Sequence, residues 1–158
     1  MERSDVLAAA GLGAVAGMRT FSAPAILSIL LARDAGSVQG SIEQALSSKV
    51  GGRTLSVLAL GELVGDKLPN IPARTVPPAL AGRILSGALV GAALARRDKQ
   101  PVLGPVLLGA AAAVASSFAF SALRRFATQR LHIPNVVAGL LEDALVAMAG
   151  TRLLAALK

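Results

Sequence analysis

Residues 102 to 123 read VLGPVLLGAAAAVASSFAFSAL, 22 positions without a charged side chain. About 20 apolar residues cover the roughly 30 Å of bilayer hydrocarbon, so this run predicts a helix that crosses a membrane. Backbone groups in hydrocarbon must find partners within the protein, and the run does not stand alone. Residues 6 to 32, 79 to 95 and 135 to 157 are also apolar, and a shorter run covers 54 to 66. Together they predict an all-α, polytopic membrane helix bundle of about five transmembrane helices, one integral membrane domain over residues 1 to 158.

Composition supports this reading. The chain is 54% hydrophobic and 16% charged, against about 25% charged in an average soluble domain. It has no Trp and no Tyr, so anchoring at the interfaces falls to Arg and Lys. The net charge of +7 does not indicate nucleic acid, because the cations sit at the ends of apolar runs and no aromatic-basic reading surface accompanies them. The absence of Cys excludes a disulfide framework and a Cys-ligated metal, and with His132 alone a histidine metal cluster or a Ser-His-Asp triad has little to build on. Neither a cofactor nor an enzymatic activity is expected, although Ser116, Ser117 and paired acids are present. Residues 6 to 32 exceed the usual h-region of about 7–15 residues and contain Arg19, which predicts a retained span rather than a signal peptide. The expected setting is the cell inner membrane, multi-pass, with the lipid bilayer as partner.

Two segments complicate the count. Residues 33 to 53 are polar, and SIEQALSSKV within them predicts a short amphipathic helix lying on the surface. Residues 54 to 66 number 13 between Arg53 and Lys67 and cover only about 20 Å as a helix, so they form a tilted or snorkelling span, or re-enter. Residues 14 to 25, AVAGMRTFSAPA, resemble 113 to 124, AVASSFAFSALR, and each is followed by an acid-bearing helix, ALGELVGD and AGLLEDAL. That favours a crossing at 54 to 66 and an inverted repeat, with one half at about 6 to 68, the other at about 102 to 157 and a linker helix at about 79 to 95.

Charges inside the apolar runs are the candidate site. Arg19 is the midpoint of residues 6 to 32, where Arg costs about 2.5–3.5 kcal/mol on insertion scales, so it requires protein or water around it and a partner. Glu62 and Asp66 are four apart and share a helix face, while Glu142 and Asp143 diverge by roughly 100°. Arg19, Glu62, Asp66 and one of Glu142 or Asp143 are expected to meet near the midplane, with Glu62 the expected partner of Arg19. The meeting lines a site for an ion or small polar solute, or it is an ion-pair network that holds the helices together. Supporting positions are Pro24, Lys67, Pro69, Arg83 and Asn135. Pro24 interrupts the first span near Arg19, and Pro69, with Pro72, Pro77 and Pro78, prevents a continuous helix through residues 67 to 78. Gly13/Gly17, Gly61/Gly65 and Gly87/Gly91 are spaced for close helix approach, one of them for a possible homodimer. The basic stretch RRFATQRLHIP reads as a topology signal able to attract anionic lipid.

The segments GLGAVAGMR, GELVGDKLP and PNVVAGLLEDAL together resemble the small bacterial integral membrane proteins grouped as domain of unknown function 4126, over nearly the whole chain. The resemblance implies an integral membrane fold in which Arg19, Glu62, Asp66, Lys67, Pro69, Asn135, Glu142 and Asp143 occupy shared polar motifs. It implies no activity, and the order Pro134–Asn135 departs from the family's Asn-Pro. The expected function is a transporter or channel for a small ion or polar solute; the alternative is a structural or accessory membrane protein.

Overall fold

The computed structural model describes residues 3–33, 40–65 and 75–157. Within them the chain is all helical: α1 (Arg3–Met18), α2 (Ser22–Arg33), α3 (Ser41–Ser47), α4 (Lys49–Gly65), α5 (Pro77–Arg97), α6 (Leu103–Gln129) and α7 (Asn135–Ala156). Asp66, Lys67, Pro69, Pro72 and Arg74 lie outside the described residues. Pro77 and Pro78 open α5 and Pro24 falls in the first turn of α2. In a first turn a missing N–H removes no intrahelical bond.

Small residues set the core. Gly13 of α1 faces Gly109 and Ala112 of α6, and Gly17 faces Ala113 and Ser116, so the two helices run parallel at backbone distance. Gly87 meets Gly109 and Gly91 meets Pro105, so α5 runs antiparallel on another side of α6. A Cβ on Gly17 would collide with Ser116 Oγ and the Ala113 carbonyl. Leu12, Val15, Leu27, Val90 and Ala113 fill the buried centre.

The first apolar run is not one span. α1 ends at Met18 and α2 starts at Ser22, and the chain reverses between them. On α1, Gly11 faces Leu153 of α7, and about two turns later Arg19, just past the end of α1, reaches Asp143. Past the break, Ile26 returns to Gly150 and Ser28 approaches Gly52. α1 and α2 therefore form a helical hairpin whose two outer ends lie at one end of the bundle, here called the base. Of the short segment expected over 54 to 66, residues 54 to 65 belong to a 17-residue helix, about 26 Å long at roughly 1.5 Å per residue, which runs from the base beside Ser28 up to the hairpin tip.

These directions also correct the inverted repeat. That arrangement requires α1 and α6 to run antiparallel, and they run parallel. Nor are the similar segments alike in structure: residues 113 to 124 lie inside continuous α6, whereas 14 to 25 contain the hairpin turn. Residues 79 to 95, expected as a linker helix, belong to α5, which packs against both α1 and α6.

α5 and α6 are long and apolar enough to cross a membrane. α7 has the length, with 22 residues, but carries Glu142, Asp143 and Arg152. Large apolar side chains cover much of the outside, among them Leu7, Val50, Val57, Leu60, Leu85 and Leu103, all more than 60% exposed.

Candidate functional site at the hairpin tip

The hairpin turn lies at mid-height. Ser117 Oγ donates to the Gly17 carbonyl at 3.0 Å and Ser116 Oγ to that of Ala14 at 2.9 Å, and Ser116 is halfway between Leu103 and Gln129, the ends of α6. Arg19 follows directly on α1 and is 1% exposed. A helix break there leaves N–H groups at the start of α2 without intrahelical carbonyls, and the chain must supply acceptors for them.

Glu62 supplies them. Its Oε1 accepts from the Thr20 amide at 2.8 Å and its Oε2 from the Phe21 amide at 2.9 Å. Each oxygen of one carboxylate thus takes one backbone N–H at the positive end of α2. Arg83 of α5, 6% exposed, places Nη2 3.8 Å from Glu62 Oε1. Ser86 Oγ, one turn along α5, donates to the Thr20 carbonyl at 2.6 Å, which fixes the turn from behind.

Arg19 reaches a different acid from the one expected. Its Nη2 binds Asp143 Oδ1 at 2.5 Å, whereas toward Glu62 it meets the main-chain carbonyl, 3.4 Å from Nη1. The reason is geometric: the Glu62 carboxylate is committed to the turn amides, and Asp143 projects from α7 toward the end of α1. Glu142, 4% exposed, points elsewhere on α7 and stands 3.7 Å from Arg124 Nη1. Asn135 accepts from Arg124 Nε at 2.9 Å, so Asn135 and Glu142 bracket that cation. The divergence of the adjacent acids assigns them to two arginines.

The structure therefore brings Arg19, Glu62, Asp143 and Arg83 together, sets Glu142 and Asn135 around Arg124, and places Pro24 in the first turn of α2. Asp66, Lys67 and Pro69 fall outside the described residues. Sequence reasoning missed the Thr20 and Phe21 amides, which follow only from the break, and the Arg124 cluster. It also missed a pair at the base, where Glu43, 2% exposed, binds Arg96 at 3.0 Å. A signal for the latter existed. Glu43 and Leu46 are three apart and share a helix face, so an acid sat on the apolar side of the short helix.

The tip combines backbone donors, two buried guanidinium groups and two carboxylates at mid-height of a bundle with an apolar exterior. Chemically, such an arrangement offers donors and charges of both signs to a small charged or polar species without covalent chemistry, as the ends of broken helices do within transporters. No protein-family model matches the chain, and neither a curated protein nor a solved structure matches it. The functional reading therefore stands on the geometry.

Proposed function

We propose that this chain is a multi-pass protein of the cell inner membrane that passes a small ion or polar solute across the bilayer, with the α1–α2 turn as its site. The observation that carries the reading is the inversion of polarity: Arg19, Arg83, Glu43 and Glu142 are buried while large apolar side chains face out. In water that distribution is costly; in a bilayer, intramembrane charges directed inward mark pathways and binding sites.

The base collects Arg33, Lys49, Arg53, Arg96, Arg97 and Lys99, whereas the described opposite end has Arg124, Arg125 and Arg130. The positive-inside rule puts the base in the cytoplasm. Single cysteines replacing Arg3, Gly40 and Lys99 should then label from one side and a cysteine replacing His132 from the other. Opposite labelling at Arg3 and Gly40 would restore a single span through residues 6 to 32.

Solute flux into proteoliposomes tests the function. Wild type should pass at least one small ion or solute faster than empty vesicles, and Glu62→Gln should fold yet change that rate. A second reading, a structural ion-pair network, is favoured by the direct pairing of Arg19 with Asp143. It prevails if wild type shows no flux and Glu62→Gln and Asp143→Asn both fail to accumulate as folded protein.

A further inference from the structure

The base differs from the hairpin tip in how its charges are matched. Among the described side chains the acids at this end are Glu43 and Asp98, and both are taken: Glu43 binds Arg96 at 3.0 Å and Asp98 lies 3.9 Å from Arg97. Arg33, Lys49 and Arg53 are all exposed, and no described residue forms an ion pair with any of them.

The fold brings these cations to one seam. α2 and α4 lie antiparallel, with the Thr20 and Phe21 amides on Glu62 at one end and Ser28 against Gly52 at the other. The same register carried past Ser28 sets Arg33, the last residue of α2, level with Lys49, the first of α4, and Arg53 follows one turn along α4 on the Lys49 face. α3 fixes the seam to the rest of the base: Ser28 Oγ donates to the Leu46 carbonyl at 2.7 Å, while Glu43 holds Arg96 of α5. Each helix also carries an exposed apolar side chain four positions from its cation and farther from the base, Ile29 at 45% on α2 and Val57 at 67% on α4, on the same helix face as that cation. The other end of the bundle has exposed cations too, but Arg125 and Arg130 are five positions apart on one helical stretch and stand about 140° apart around its axis, so they do not converge.

We infer that the α2–α4 seam at the base is a binding site for an anionic phospholipid, with its phosphate among Arg33, Lys49 and Arg53 and its acyl chains along Ile29 and Val57. Three cations with no described acid beside them complement a negative headgroup. The apolar side chains one turn deeper select a lipid over a free phosphate, which would leave them uncovered. The inference rests on the membrane setting proposed above and is independent of transport.

The test is the melting temperature of the full chain in a nonionic detergent, titrated with dioctanoyl phosphatidylglycerol. Dioctanoyl phosphatidylcholine serves as the lipid without net charge, and sodium glycerol phosphate as the headgroup without chains. Wild type should show a saturable rise with phosphatidylglycerol beyond that with either control. Arg33→Gln, Lys49→Gln and Arg53→Gln should each raise the midpoint roughly fivefold, and the triple variant should respond to the two lipids alike. Arg125→Gln combined with Arg130→Gln should respond as wild type does. The three seam positions are exposed, so the single variants report even if the triple variant does not accumulate. An equal response of wild type to the two lipids overturns the inference. So does an equal response to glycerol phosphate, which makes the seam a free-phosphate site. Loss of the response in the Arg125 and Arg130 variant, or its persistence unchanged in the seam variants, puts the lipid elsewhere and overturns it as well. A selective shift without solute flux in proteoliposomes upholds the lipid site and removes the transport reading; flux with an equal response to the two lipids does the reverse.

Discussion

α1 and α4 both end at the level of the hairpin turn, and both carry a pair of glycines four residues apart, yet they are attached to the bundle by opposite means. α1 sinks Gly13 and Gly17 into the backbone of α6, with Leu12, Val15 and Ala16 fully buried around them. α4 has no buried residue, a Cβ on its Gly61 or Gly65 would meet nothing within 4 Å among the described residues, and its Glu62 carboxylate reaches sideways to the Thr20 and Phe21 amides. The glycine spacing alone therefore carries no information about packing. What decides is whether a partner backbone lies opposite, and where none does, a polar side chain holds the helix instead.

The sharpest way to break this contrast is to fill a glycine on each helix. Gly17→Leu puts a side chain where Ser116 Oγ and the Ala113 carbonyl already stand, and backbone cannot yield as a flexible side chain can. The cost should exceed the roughly 1–3 kcal/mol of ordinary overpacking, and purification in detergent should recover no monodisperse protein. Gly61→Leu should be recovered at wild-type levels. Equal recovery of the two would mean α1 is no more firmly seated than α4.

Next in size are the polar ties. Arg19 is almost wholly buried and pairs with Asp143, so Arg19→Ala, which strands that carboxylate, should cost about 3–5 kcal/mol. In a double-mutant cycle on thermal stability, Arg19→Ala and Asp143→Asn should couple by more than about 1 kcal/mol, whereas Arg19→Ala and Glu62→Gln should couple by less than roughly 0.5. The asymmetry follows from Arg19 meeting Glu62 through its main-chain carbonyl, which the Gln substitution leaves in place. Comparable couplings would mean the Glu62 carboxylate serves Arg19 rather than the turn. At the base, Arg96 is 44% exposed at its side chain and binds buried Glu43. Solvent screening discounts such a pair, and Arg96→Ala should cost only about 1–2 kcal/mol, chiefly for the carboxylate left behind.

Much of this was legible in the chain itself. Arg19 in the centre of an apolar run marked the site, because a charge there must be enclosed by protein. The acids at 62 and 143 were visible as candidates for the same reason. Which acid meets which cation was not legible, since pairing depended on the helix break at residues 19 to 21, and a run of apolar residues has the same hydropathy whether it crosses or turns back. Pro24 pointed to an interruption, but a proline in a first turn is compatible with a kink, a break or a full reversal. The similarity of residues 14 to 25 and 113 to 124 misled for a related reason. Ala-Val-Ala and Phe-Ser-Ala recur without a common structure, because the first copy runs through the hairpin turn and the second lies inside continuous α6. Glu43 shows the converse case, a legible position passed over because the segment as a whole is polar.

The smallest expected effect is the most discriminating for α4. Gly61 lies inside α4 and a Cβ there would meet nothing within 4 Å among the described residues, so alanine there adds helix propensity without a clash. The gain should be about 0.5–1 kcal/mol, or roughly 1–4 °C in melting temperature for a domain of this size. Gly17→Ala, the same chemical change on α1, should instead lower the melting temperature, because its methyl meets Ser116 and Ala113. The sign of the pair, rather than the size of either, is the test. If Gly61→Ala is destabilising, something does lie against that face in the folded protein, and α4 is held by packing as α1 is. Crosslinking through a cysteine at Val57 or Val64, both more than 60% exposed, would then show whether a second copy of the chain supplies that contact.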